Sequence, residues 1–149
     1  MNTKELDGYL KFLSEKQTAV QESGFDVEDS DLSPQLFPFQ KYCVKRAMKV
    51  GRFAMFEDCG LGKTYQQLEW AQQVVNHINK PVLILAPLGV IGQTIKEGVH
   101  FGYKVTEIAL TTFDQDLAAG IYITNYDNMD NIDAYLFGGV VLDESSILK

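Results

Sequence analysis

Glu57-Asp58-Cys59-Gly60-Leu61-Gly62-Lys63-Thr64 lies between a short apolar run, Arg52 to Phe56, and a stretch with helical periodicity, Leu68, Ala71, Val75 and Ile78. A strand, a glycine-rich turn and a helix in that order form the context of a phosphate-cradling loop. Glycines at 60 and 62 let backbone N–H groups turn inward and approach anionic oxygens closely. A helix opening near Lys63 adds the positive end of its dipole and unpaired N–H groups. The Lys63 ammonium can reach β- and γ-phosphates, and the Thr64 hydroxyl can ligate Mg²⁺. One position departs from the full pattern: a glycine is expected five residues before Gly62, and Glu57 stands there.

Downstream, short apolar runs alternate with helical stretches. Pro81 to Ala86, Val105 to Leu110, Ile121 to Thr124 and Val140 to Asp143 read as strands, and Thr64 to Asn79 and Val90 to His100 as helices. Upstream, Pro38 suits a first helical turn of a segment running to about Val50. Such alternation predicts an α/β fold with a parallel sheet and helices on both faces. Gly138-Gly139-Val140-Val141-Leu142-Asp143-Glu144 is an apolar strand ending in two acids. Open α/β sheets bind ligands at the carboxyl ends of their strands. There Asp143 could hold Mg²⁺ through water, and Glu144 could orient and deprotonate an attacking water.

Four stretches together resemble successive motifs of the superfamily 2 (DEAD-like) helicases and translocases. They are Glu57 to Thr64, Leu83-Ile84-Leu85-Ala86-Pro87-Leu88, Ile123-Thr124-Asn125-Tyr126 and Asp143-Glu144-Ser145-Ser146. The loop and the Ala86-Pro87-Leu88 turn look most like the chromatin-remodeller-type branch, including its phage-encoded relatives. The resemblance implies a P-loop NTPase of RecA-like fold over residues 34–149, the first of two such domains in an ATP-driven motor on nucleic acid, DNA rather than RNA. It implies ATP binding by Gln40, Cys59, Gly60, Leu61, Gly62, Lys63 and Thr64, with Gln40 reading the adenine edge. It implies catalytic roles for Lys63 and Glu144, Mg²⁺ at Thr64 and Asp143, and nucleic-acid backbone contacts at Pro87 and Thr124. Ser146 departs from the branch, which has His or Asp there. The family closes its site with a second RecA-like domain bearing arginine fingers. It also places the strand that follows the Asp-Glu motif between the phosphate-loop strand and the Asp-Glu strand. Both lie outside this sequence, so the sheet is expected to be incomplete, and the chain to be a fragment or to be completed by another polypeptide. Alone it is expected neither to unwind DNA nor to hydrolyse ATP well.

Residues 1–33 read as a helical extension and an acidic linker: Leu6, Tyr9, Leu10 and Leu13 share one helix face, and Asp26, Glu28, Asp29 and Asp31 follow. Residues 1–35 hold three lysines against eight carboxylates, most of the net charge of −7. That balance excludes an all-over basic coat for nucleic acid, and the local basic stripe Lys41, Lys45 and Lys49 is expected to be a solvated face. Two cysteines 16 apart give neither a disulfide framework nor a zinc site. The longest apolar run, Pro81 to Leu88, falls short of the ~18 residues a membrane span needs, and Lys4, Glu5 and Asp7 stand where a signal peptide would be apolar. A soluble cytoplasmic protein is the expectation. Two competing functions remain: a non-catalytic nucleotide-binding or interaction module, and a small P-loop kinase. The kinase needs an arginine-rich lid, and Arg46 and Arg52 are the only arginines.

Overall fold

The computed structural model of the chain describes residues 22–58, 60–108 and 117–144. In chain order its elements are α1 (Pro38–Val50), α2 (Lys63–Ile78), β1 (Val82–Ala86), α3 (Leu88–Phe101), β2 (Val105–Glu107), β3 (Ile121–Asn125) and β4 (Gly139–Leu142). Two 3₁₀ turns, Tyr126–Asn131 and Ala134–Leu136, connect β3 to β4. The four strands form one all-parallel sheet in the order β2-β3-β1-β4. The chain is therefore an α/β protein, as the alternation of runs predicts.

The apolar pattern accounts for the layering. Every residue of β1 is buried, as befits an inner parallel strand covered on both sides. Val82, Ile84 and Ala86 point to one face, where they meet Val44 and Met48 of α1, Leu68, Ala71 and Val74 of α2, and Ile91 of α3. Leu83 and Leu85 point to the other and meet Ile108 and Phe137, with Tyr126, Ile132 and Leu136 packed around them. All three α-helices thus share one face. The expected helices on both faces are replaced, among the described residues, by an α-helical layer on one side and 3₁₀ turns on the other. Asn125, Asp127, Asn128, Asp130, Asn131 and Asp133 crowd the β3–β4 connection. Such residues bond to nearby backbone and favour turns over helix interiors.

The helix after the glycine loop lies tightly on β4. A Cβ built on Gly139 would stand 2.7 Å from Trp70 Cη2 and 3.3 Å from Val74 Cγ1. Only a bare backbone admits α2 at that separation.

The predicted strand Arg52 to Phe56 does not form. Residues 53–58 join no ladder, and Phe56 is 97% exposed. Apolar alternation permits a strand, but a strand needs a neighbour. Among the described residues β4 is the sheet's edge, with Val140 and Leu142 exposed.

The acidic segment, expected as a solvated linker, is packed. Val27, Leu32 and Leu36 are buried, and Phe25 stacks on His77 with ring centroids 3.8 Å apart. Its carboxylates meet the basic stripe: Asp29 pairs with Lys45 at 2.7 Å, Glu22 with Arg46 at 3.1 Å and Asp26 with Lys49 at 3.5 Å. The stripe thus remains partly solvated, as expected, and Lys45, Lys49 and the adjacent Arg46 also meet the chain's own acids. A second tie is buried. Glu69, 2% exposed, accepts from Ser33 N–H, from Gln73 Nε2 at 2.8 Å and from the Tyr103 hydroxyl. Gln73 also donates to Asp31 O at 2.6 Å. The packed body therefore begins upstream of residue 34. The helix expected around Leu6 to Leu13 lies outside the described residues, as do Cys59, Ser145 and Ser146.

Replacing Gly139 with Val drives two methyls into Trp70 and Val74. The variant is expected to lose about 1–3 kcal/mol, read as a lower urea midpoint with an unchanged slope.

Candidate functional site

The loop from Glu57 to Lys63 is held open by left-handed glycines and closed at its base by side chains. Gly60 and Gly62 have φ of 83° and 75°. At Gly62 a side chain would also collide with Gln40, whose Nε2 lies 2.5 Å from the Cβ position. This is the backbone form that aims N–H groups at an anion. The Lys63 ammonium folds back on the loop and donates to Glu57 O at 3.0 Å. Glu57, the departure from the glycine pattern, acts as a brace: its carboxylate accepts from Gln66 Nε2 at 2.8 Å. Burial pushes the Cys43 thiol up, helped by the neighbouring Glu57 carboxylate. Gln66 is fully buried and also donates to Leu61 O at 3.2 Å.

Gln40 is 4% exposed, not a surface helix residue. Its Oε1 accepts from Phe37 N–H at 2.9 Å, fixing the first turn of α1. Its Nε2 donates to Leu61 O at 2.9 Å. The amide therefore ties α1 to the glycine loop. The second Nε2 hydrogen and the second Oε1 lone pair are not used by these two bonds.

The second element reaches the site through the sheet. Asp143 N–H donates to Leu85 O at 2.8 Å, continuing the β1–β4 ladder, and Asp143 O accepts from the Tyr126 hydroxyl at 2.6 Å. With its backbone pinned at both ends, Asp143 projects its carboxyl from the carboxyl edge of the sheet. Burial raises its pKa first and the Glu144 charge adds to the rise. Gln67, the Glu144 N–H and the Lys63 ammonium pull the other way. Ile78 lies on Gly138 and Trp70 and Val74 lie on Gly139, so α2 runs antiparallel to β4, and Lys63 at the start of one belongs to the same end of the pair as Asp143 after the other. Glu144 follows in a left-handed conformation, φ 52°, and is exposed. Backbone of that kind in a non-glycine residue is uncommon and clusters at functional sites.

The remaining expected residues occupy the same edge. Pro87 precedes α3 at the end of β1, half-buried, with Leu88 and Gly89 exposed beyond it. Thr124, near the end of β3, is 2% exposed. Its hydroxyl donates to Ile108 O at 3.1 Å and accepts from Asn128 Nδ2 at 2.7 Å. Contact of that hydroxyl with a nucleic-acid phosphate would require the bond to Ile108 to break. Thr64, second in α2, is half-buried and Leu61 is exposed on the loop.

Magnesium fits this donor set in one way. Among the described residues no group of three or more His, Cys, Asp or Glu could hold a metal. An ion at Asp143 would take its other ligands from the Thr64 hydroxyl, water and phosphate oxygens, which is how Mg²⁺ binds with nucleotides. Sequence reasoning passed over Gln67 and Tyr126. Gln67 was within its reach, because it lies four residues after Lys63 and so on the same helix face. Among the described residues no helix is long and apolar enough to cross a membrane.

Neither the known protein families nor the curated proteins offer a match to this chain.

Asp143→Asn tests the electrostatics. The native state holds the Asp143 proton more tightly than the unfolded chain does, so ionisation of this carboxyl costs stability. That cost is absent below the ordinary value of 3.8 and full above the raised folded pKa. The variant should melt higher than the parent at about pH 7, with the advantage fading as pH falls towards the ordinary aspartate range. A variant that melts lower than the parent at neutral pH contradicts this account.

Proposed function

We propose that the chain is the ATP-binding half of a nucleic-acid-dependent ATPase motor of the superfamily 2 helicase and translocase type, built on a P-loop of RecA-like form. The observation that supports the reading most is the antiparallel packing of α2 on β4, which assigns Lys63, at the start of one, and Asp143, just past the end of the other, to the same end of the pair. A glycine loop, a lysine and a strand-end carboxylate at the carboxyl ends of the strands supply a phosphate cradle and a metal post together.

In this reading the N–H groups from Gly60 to Thr64 surround the β- and γ-phosphates, and the helix dipole of α2 adds positive potential. Lys63 leaves Glu57 O for a phosphate oxygen. Bound magnesium supplies charge neutralisation between the phosphates, with Thr64 and Asp143 as its protein-side ligands, Asp143 through water. Glu144 orients the attacking water and takes its proton. Cys59, Leu61 and Gln40 line the nucleotide, and Pro87 and Thr124 face the nucleic acid, DNA before RNA. The open edge at β4 and the unladdered residues 53–58 are consistent with completion by further polypeptide and a second RecA-like domain, in cis or in trans. An arginine finger from such a domain is worth ~10³–10⁵ in rate. A cytoplasmic setting suits these partners.

A second reading, a nucleotide-binding module without motor activity, is favoured by one observation. Thr124, meant for nucleic acid, has its one hydroxyl hydrogen engaged within the protein.

ATP binding by the parent chain and by Lys63→Ala separates these from a mere turn. The parent should bind ATP with Mg²⁺, and the variant should bind at least tenfold more weakly, read by calorimetry. Equal binding by both would remove the phosphate-loop assignment. Turnover by the parent alone should be slow and should not respond to added DNA. A response to DNA would instead show that this chain suffices as a motor domain.

A further inference from the structure

We infer that Gln67 is a positioning residue for Asp143, holding that carboxyl towards the magnesium of a bound nucleotide; the inference rests on the phosphate-loop reading of residues 57–64. Three features of the molecule lead there.

The first is placement. Val74 and Trp70 of α2 lie on Gly139 at the start of β4. From Val74 back to Gln67 the helix advances ~10 Å, and from Gly139 to Asp143 the strand advances ~13 Å. Gly138, one residue earlier in the chain, lies against Ile78, later in α2, so α2 runs opposite to β4 and Gln67 comes to lie towards Asp143. It stands one helical turn after Lys63, on the same face.

The second is burial without satisfaction. Gln67 is only 6% exposed, and its Nε2 has no hydrogen-bond partner. A buried amide donor left unpaired costs ~1–3 kcal/mol, so such groups call for an explanation in what they meet during function. Gln73, on the same helix and also buried, has its Nε2 bonded to Asp31 O and Glu69 Oε1. The free donor at Gln67 is therefore a local feature of the site.

The third is the neighbour. The Gln67 amide lies close enough to Asp143 to favour its ionised form, although the pair lacks the geometry of a full hydrogen bond in this conformation. The Asp143 backbone is fixed by Leu85 and Tyr126, so only its side chain can turn. A small rotation brings one carboxylate oxygen to the Gln67 amide and leaves the other for the water shell of the ion. Carboxylates that serve metal ions are themselves hydrogen-bonded from behind, and losing that outer partner costs roughly 10–100-fold in metal affinity. Gln67 is the side chain in place to act as that partner.

The test uses the full chain, ATP as the probe and MgCl₂ as the titrant. Gln67→Met keeps length and removes the donor. It should need at least tenfold more Mg²⁺ for half-maximal ATP binding, while its ATP affinity in EDTA stays that of the parent. Gln67→Asn, a milder change that keeps an amide but withdraws it, should shift the Mg²⁺ midpoint in the same direction and serves if Gln67→Met does not fold. An unchanged Mg²⁺ midpoint in a folded variant overturns the proposal. So does an equal loss of affinity with and without Mg²⁺, which marks a packing role only. Lys63→Ala distinguishes the two levels, since it should lose ATP in EDTA as well as in Mg²⁺. If the parent binds no ATP, or Lys63→Ala binds as the parent does, the phosphate-loop reading fails and this proposal fails with it.

Discussion

The contact of Trp70 and Val74 with the bare backbone of Gly139 sets the geometry of everything functional in this chain. It fixes how closely α2 lies on β4, and so fixes the separation of Lys63 at one element's start from Asp143 at the other's end. A wider spacing would leave the two charges in solvent, where their mutual influence is screened. The sheet does the rest. Parallel pairing of β1 with both β3 and β4 puts all the strand ends at one edge. Pro87, Thr124, Asp143 and the glycine loop converge there because parallel strands finish together, although residues 62 and 143 are far apart in sequence.

Charge is handled differently at the two ends of the helical layer. At the site Lys63, Asp143 and Glu144 form no ion pair with one another or with any other described residue. On α1 the basic stripe is taken up by the acidic segment, through pairs whose side chains are partly exposed. Pairs of that kind contribute ~0–1 kcal/mol each. Holding the segment down is therefore mainly the work of Val27, Leu32 and Leu36 in the core and of the buried bonds to Glu69 and Gln73. The helix after the glycine loop also carries Glu69 and Gln73, so the upstream segment and the candidate site share one rigid element.

What could be read from the residues divides along physical lines. The glycine loop was legible because φ values near 80° leave glycine almost no competitor, and Gly60 and Gly62 adopt them. β1, β3 and β4 were legible because unbroken apolar runs of that length suit buried parallel strands. Arg52 to Phe56 was misread because composition reports what a strand could bury, not whether a neighbour exists to bond it. Among the described residues, turns rather than a helix cover the second face between β3 and β4, because the turn-forming Asn and Asp residues there outweigh the apolar Ile132, Leu136 and Phe137 among them. The acidic segment was misread because its partners are distant in sequence: charge alone says solvent, whereas Lys45, Arg46 and Lys49 stand waiting on α1. At the site, Lys63 and Asp143 were legible from motif and strand end. The engaged states of Gln40 and Thr124 were not, since they depend on carbonyls at Leu61 and Ile108 that only the fold brings near.

The bare side of β4 carries a material consequence. Among the described residues no strand pairs with the outer side of β4, and that edge, with outward-facing Val140 and Leu142, offers a template for another molecule's strand. Two copies meeting rim to rim could pair those edges without any change in their interiors. Colloidal behaviour should then be governed by crowding more than by heat: dilute solutions stay clear, and concentrated ones clot through sheet extension. A charge of −7 slows such encounters at low ionic strength, and added salt removes that protection.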